Sequence, residues 1–241
     1  MEARRIFTTL LVAVAAVVGI SAQKAVYLTT EQLPNLIKSL PAPPAFDSPE
    51  FAYDIIRYQW GKQQRKDPER AAIAKGDAIW DSLDSLFHQF AVPFGLEVTP
   101  KGTPEIYKLL TTAIYTIDQM RVAPKAYYKR QRPFERYDEP MLTGEEDALR
   151  GEGSYPSGHA LRGQACALVM AQIAPERADT IFYRAYIYAQ SRVIAGAHWQ
   201  SDVDASRNGA SIGFCTLQGC PAFIEQMKKA KEEYKRVRCE M

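Results

Sequence analysis

The sequence predicts an all-α fold, a single compact helical domain, and three observations predict it. Strand-like alternation of apolar and polar residues is scarce along the chain. Proline opens one apolar-periodic segment after another, at Pro49, Pro68, Pro104, Pro124, Pro175 and Pro221. The first turn of a helix tolerates it there, because its missing N–H had no intrahelical partner. With 46% hydrophobic and 24% charged residues over 241 positions, the chain can bury a sizeable core without help from a metal or a disulfide.

Taken in order, the chain begins with Arg4 and Arg5, an apolar run over 10–20, and small residues at Ser21 and Ala22. That is the layout of a secretory signal peptide, which predicts cleavage after residue 22 and a mature chain of 23–241 in the periplasm or outside the cell. The run is short for a bilayer span, and no cysteine stands at the cleavage point to suggest lipidation. No later segment offers about 18 uncharged apolar residues, so no stable membrane insertion is expected. The formal charge of +2 creates no field on the scale of nucleic-acid binding.

Residues 23–50 are rich in proline and read as turns and short helices wrapping the surface. Helices are expected over 49–62, 68–90, 104–120 and 124–131. After a connection rich in Glu and Asp they resume over 157–173, 175–192, 201–217 and 221–237. The basic run from Lys228 to Arg238 reads as a solvated helix face, and His88, beside Phe87 and Phe90, as a structural residue. There is no internal repeat.

Four cysteines, Cys166, Cys215, Cys220 and Cys239, permit three connectivities, among which sequence does not choose. Cys215 and Cys220 are near enough to bridge, with Cys239 as a competitor, whereas Cys166 lies in an Ala/Leu/Val/Met helix that suits a buried free thiol. They lack paired spacing for zinc, so no metal site and no cofactor are expected.

Three segments carry the chemistry. Lys125 and Arg132 are seven residues apart, so on one helix both would face the same side and reach one anion; the alternative is a solvated basic face that includes Lys129 and Arg130. Ser157 follows Pro156 as a natural N-cap, which leaves the amides of Gly158 and His159 free at a positive helix end where an anion can approach an unobstructed backbone. His159 then stands where it can give a proton to a leaving oxygen. In the third segment Arg192 closes a helix, a compact Ala195-Gly196-Ala197 turn precedes His198, and Trp199 reads as a packing anchor. Ser201 reads as the next N-cap. Asp202 is then either a first-turn carboxylate favoured by the helix dipole or the partner that fixes the His198 tautomer.

In this order the segments resemble, at every signature position, the tripartite motif of the type 2 phosphatidic acid phosphatase superfamily, which includes the vanadium haloperoxidases. The flanking residues are similar to the bacterial class A non-specific acid phosphatases: Gly153-Ser154-Tyr155, the run from His198 to Asp204, and Pro221-Ala222-Phe223. Similarity extends upstream through 40–44 and 104–111 and so covers essentially the mature chain. Ala160 stands where that group tends to have Thr, and the acidic connection over 133–156 lacks cysteine.

The resemblance implies hydrolysis of small phosphate monoesters at acid pH, without a metal, by a homo-oligomer. It implies His198 as nucleophile forming a phosphohistidine, Asp202 orienting it, and His159 as general acid and base. Lys125, Arg132, Arg192, Ser157 and the Gly158 amide would hold the phosphoryl oxygens. Two rival activities share the pocket: a vanadate-dependent haloperoxidase, usually a longer chain, and a phosphatase of lipid headgroups.

Overall fold

A computed structural model describes residues 24–240 of the chain, and the expected signal peptide lies outside them. Among the described residues twelve α-helices follow one another: α1 (Leu36–Ser39), α2 (Phe51–Gln64), α3 (Pro68–Ala78), α4 (Leu83–Phe94), α5 (Pro104–Asp118), α6 (Val122–Tyr128), α7 (Pro133–Tyr137), α8 (Glu146–Leu149), α9 (Gly158–Ile173), α10 (Ala178–Ala195), α11 (Gln200–Leu217) and α12 (Pro221–Glu240). Short 3₁₀ turns lie at Thr30–Gln32, Gln119–Arg121 and Pro175–Arg177. No strand occurs among the described residues, as the scarcity of alternation predicts.

The centre of the molecule is α9, which packs against α4, α5, α10, α11 and α12. Its residues Leu161, Ala165, Cys166, Ala167, Val169 and Met170 are all fully enclosed, the condition of a helix that is apolar nearly all round. Small residues bring its neighbours close. A Cβ on Gly163 would lie 2.6 Å from the Tyr188 ring of α10, so glycine fixes the approach of these two helices.

Two expected helices are broken, each for a local reason. The segment expected to run over 68–90 stops at Ala78, where Ile79 turns extended, and restarts after Ser82, whose hydroxyl accepts from the Asp84 amide and caps α4. The segment expected over 124–131 ends at Tyr128, with Lys129 in the left-handed region at φ 43°. Arg132 is extended (φ −78°, ψ 159°), as the ring of Pro133 requires of the preceding residue. Pro133 therefore starts α7 instead of ending the helix that carries Lys125. The third difference is smaller: α11 begins at Gln200 after Trp199, so Ser201 lies inside the first turn instead of capping it.

His88 is not a core residue; it faces solvent 3.3 Å from Glu97. All four cysteines are free thiols, with Cys166 and Cys220 buried and Cys215 and Cys239 exposed. No described helix is long and apolar enough to cross a membrane.

Candidate active site

The predicted residues converge where the N-termini of α9 and α11, the C-terminus of α10 and the α6–α7 connection meet. Trp199 holds this junction. It is fully buried, packs against Phe46, Phe51, Tyr58 and Tyr137, and donates from Nε1 to the Gln131 carbonyl at 2.8 Å. Gly196, at φ 81°, turns the chain out of α10 so that His198 can fold back; its amide donates to the Arg192 carbonyl.

His198 is 3% exposed, and its two ring nitrogens face different surroundings. Nε2 lies 3.1 Å from Arg132 Nη1, a donor only, so Nε2 is the unprotonated nitrogen and Nδ1 carries the hydrogen. Nδ1 points to Asp202 Oδ2 at 3.5 Å, an ion-pair distance longer than a hydrogen bond. The contact is thus longer than the hydrogen bond that a tautomer-fixing partner would make, and Asp202 has other donors as well. Its Oδ2 accepts from the Trp199 amide at 2.9 Å and its Oδ1 from Arg130 at 2.6 Å.

Lys125 and Arg132, although not on one helix, still arrive at one place. Lys125 is half-buried, and its ammonium donates to the Gly153 carbonyl; Arg132 donates to the carbonyls of Glu152 (2.9 Å) and Ala197 (2.9 Å). Arg192 closes the set from the end of α10. It is 1% exposed, and both its Nη atoms donate in parallel to Glu145, at 3.0 and 3.1 Å. Ser157 caps α9 by accepting from the Ala160 amide. The amides of Gly158 and His159 find no acceptor among the described residues and present a small positive concavity.

Across from His198, His159 is half-buried. Its Nε2 is enclosed without a hydrogen-bond partner, and its ring packs edge-on to Trp80. Trp80 belongs to the break between α3 and α4 and in turn lies under Arg162, 3.8 Å from ring centre to guanidinium. A cleft of about 690 Å³, lined by Ala78, Ile79, Met141, Leu142 and Glu145 among others, opens beside the pair formed by Glu145 and Arg192. A larger groove of about 900 Å³ lies between α3, α4 and α10 and contains none of the predicted residues.

Burial and crowded cations govern the electrostatics. His198 is held well below its ordinary pKa by burial first, then by Arg132, Lys125 and Arg192. His159 is lowered likewise, by burial and then by Arg192, Arg162 and His198. Lys125 falls to about 7, mainly through desolvation, with Arg132 adding to the effect. Arg132 falls to about 10, again mainly through desolvation. A pocket in which both histidines, Lys125 and Arg132 are pushed toward their neutral forms is one built to receive negative charge.

Sequence reasoning missed three participants. Arg130 reads in the sequence as part of a solvated basic face, yet it is 6% exposed and bridges Asp202 to Asp54. Asp54, on α2, is 76 positions from Arg130 and 147 from Ser201, and no local pattern marks it. Glu145 sat in the acidic connection, where a carboxylate reads as solvated. Among the described residues no cluster of three or more His, Cys, Asp or Glu converges as metal ligands would.

Comparison with known proteins shows the family. The model of the PAP2 superfamily matches residues 106–228, a span that contains all three segments. The chain is 40% identical over 214 residues to a non-specific acid phosphatase of Providencia stuartii, covering 88% of this chain and 86% of that one. It is 39% identical over 196 residues to the non-specific acid phosphatase of Salmonella typhi, covering 80% and 78%. An acid phosphatase of Zymomonas mobilis is 33% identical over 200 residues, covering 83% and 75%.

Proposed function

The chain belongs to the PAP2 superfamily, and from that premise we propose that it is an acid phosphatase that hydrolyses small phosphate monoesters through a phosphohistidine on His198, without a metal. The observation that carries this reading is the split environment of His198. One nitrogen lies against Arg132, with Lys125 and Arg192 near enough to act on the ring and suit a phosphoryl group, and the other faces a carboxylate that suits an imidazolium.

In the first half-reaction Nε2 of His198 attacks phosphorus in line. The N–P bond forms as the P–O bond to the leaving group breaks, and the leaving oxygen takes a proton from His159. In the second, a water gives its proton to His159 and attacks phosphorus. The N–P bond breaks, and phosphate departs from a regenerated imidazole. Lys125, Arg132, Arg192, Ser157 and the amides of Gly158 and His159 hold the equatorial oxygens and offset the charge that shifts between them. These fixed donors do here what bound Mg²⁺ does in kinases, which supports the metal-free reading. Export after removal of the first 22 residues fits the layout of the N-terminus and belongs to the same proposal.

Hydrolysis of p-nitrophenyl phosphate by the mature chain, followed from acid to alkaline pH in excess EDTA, tests the proposal. Activity on the acid side that survives EDTA and is blocked by vanadate is expected. Loss of activity on chelation, with recovery on adding a divalent metal, would refute the metal-free reading.

The pair between Arg192 and Glu145 gives a second expected result. A carboxylate bound in parallel to both Nη atoms offers a guanidinium what two phosphoryl oxygens would, so substrate must displace it. Replacement Glu145→Gln removes the competing charge and is expected to lower KM about threefold with little change in kcat, as removal of a competing occupant does. Steady-state kinetics on p-nitrophenyl phosphate check it, and an unchanged or raised KM counts against it.

A further inference from the structure

We infer that Asp54 and Arg130 are positioning residues for the nucleophile, joined through Asp202 into a buried chain of alternating charge that ends at His198. This rests on the phosphohistidine reading and deepens it. Arg130 donates from Nη2 to Asp54 Oδ2 at 2.8 Å and from Nη1 to Asp202 Oδ1 at 2.6 Å. Asp54 also accepts from the Ser201 amide at 2.8 Å and the Ser201 hydroxyl at 2.6 Å, which ties α2 to the first turn of α11. Asp54 is 1% exposed, Arg130 6% and Asp202 0%.

The count of charges carries the argument. An ion pair of Arg130 with Asp202 alone would leave Asp202 neutralised and of little use to His198. A second carboxylate on the same guanidinium changes this, because two carboxylates and one guanidinium leave a single net negative charge in the chain. That charge lies beside Nδ1 and matches the positive charge the imidazole acquires when Nε2 is phosphorylated. Desolvating three charges is expensive if they serve only to hold two helices together, since well-packed apolar side chains do that at least as well. The cost is intelligible if the net charge beside His198 is what is being set. Geometry adds to this, because the Arg130 and Trp199 bonds fix the Asp202 plane and so which oxygen faces His198.

The other charged groups that face His198 are Lys125, Arg132, Arg192 and, across the pocket, His159. They are the same in every variant below, so differences between variants isolate the chain. Asp54→Asn keeps an acceptor for the Ser201 amide but adds one net positive charge. It is expected to move the acid limb of kcat/KM to lower pH and to lower kcat/KM about tenfold, the equivalent of ~1.4 kcal/mol of lost preference for the charged imidazole. Arg130→Met removes a positive charge and is expected to move that limb to higher pH. The double variant Asp54→Asn with Arg130→Met restores the charge count and is expected to be more active than Asp54→Asn alone.

A purely structural role makes the opposite forecast. Both single variants would lose thermal stability with the limb unmoved, and the double variant would be the worst of the three; that pattern overturns the inference. Labelling with a ³²P-phosphate ester and an alkaline quench separates the two levels. A wild type without alkali-stable label would sink the phosphohistidine reading and this chain with it. A labelled wild type with unmoved limbs in the variants sinks the chain alone. Asp54→Asn can be judged by itself from its limb even where Arg130→Met does not fold.

Discussion

Replacing His198 with alanine is expected to abolish turnover while leaving the protein folded. In the proposed mechanism His198 forms the bond to phosphorus, and His159, the other imidazole of the pocket, serves the leaving oxygen instead. Arg132, Lys125 and Arg192 are cations, and Asp202 is held by Arg130 and the Trp199 amide. Loss of an activated nucleophile costs roughly 10⁴-fold or more in kcat, with a residue left over from the cations and helix amides that still bind the ester. The fold should survive because His198 packs through a turn fixed by Gly196 and Trp199, both untouched, and its Nδ1 makes no hydrogen bond. Circular dichroism, steady-state kinetics and alkaline-quench labelling check it together. A folded variant that keeps more than a few per cent of wild-type kcat would require a different nucleophile.

Removing His159 should reveal the proton donor. A general acid contributes about 10²–10⁴-fold, and the loss scales with how badly the leaving oxygen needs a proton. His159→Asn is therefore expected to lower kcat far more for an alkyl phosphate than for p-nitrophenyl phosphate. The pH dependence follows from the direction of the shift. Burial first, and then Arg192 and Arg162, hold His159 well below its ordinary value, so in the free enzyme its acid form is populated only on the acid side. The wild-type kcat/KM should fall as pH rises through that lowered value, and this descending limb should vanish in His159→Asn. His198, depressed by burial and by its three cations, stays neutral and nucleophilic in the same acid range. Lys125, at about 7, loses its charge as pH passes neutrality, so KM should also rise there. Equal losses for the two substrates, with an unaltered limb, would remove His159 from its role.

Much of this molecule was legible in the sequence, because local chemistry has local causes. Proline in the first turns, Ser157 as a cap and the apolar run after it located α9 and its anion-facing end. Strict spacing within Pro156-Ser157-Gly158-His159 and His198-x3-Asp202 kept each group within one turn of its partners. Where the helix reading failed, an opposing local cause had won. Ser82 broke the helix expected over 68–90, and the steric demand of Pro133 on Arg132 broke the one expected over 124–131. Lys125 and Arg132 reached one pocket anyway, through a turn instead of along one helix face.

The sequence by itself determined the helical class and the three segments that carry His198, His159 and the cations, since each segment depends on residues within a few positions of one another. Only the tertiary structure decided which partners those groups take. It set Arg130 between Asp54 and Asp202, Glu145 on Arg192, Trp80 against His159, and His198 at 3.5 Å from its carboxylate. A charge finds its partner through space, and the pairing of α2 with the first turn of α11 joins residues about 150 positions apart, a distance no sequence periodicity encodes.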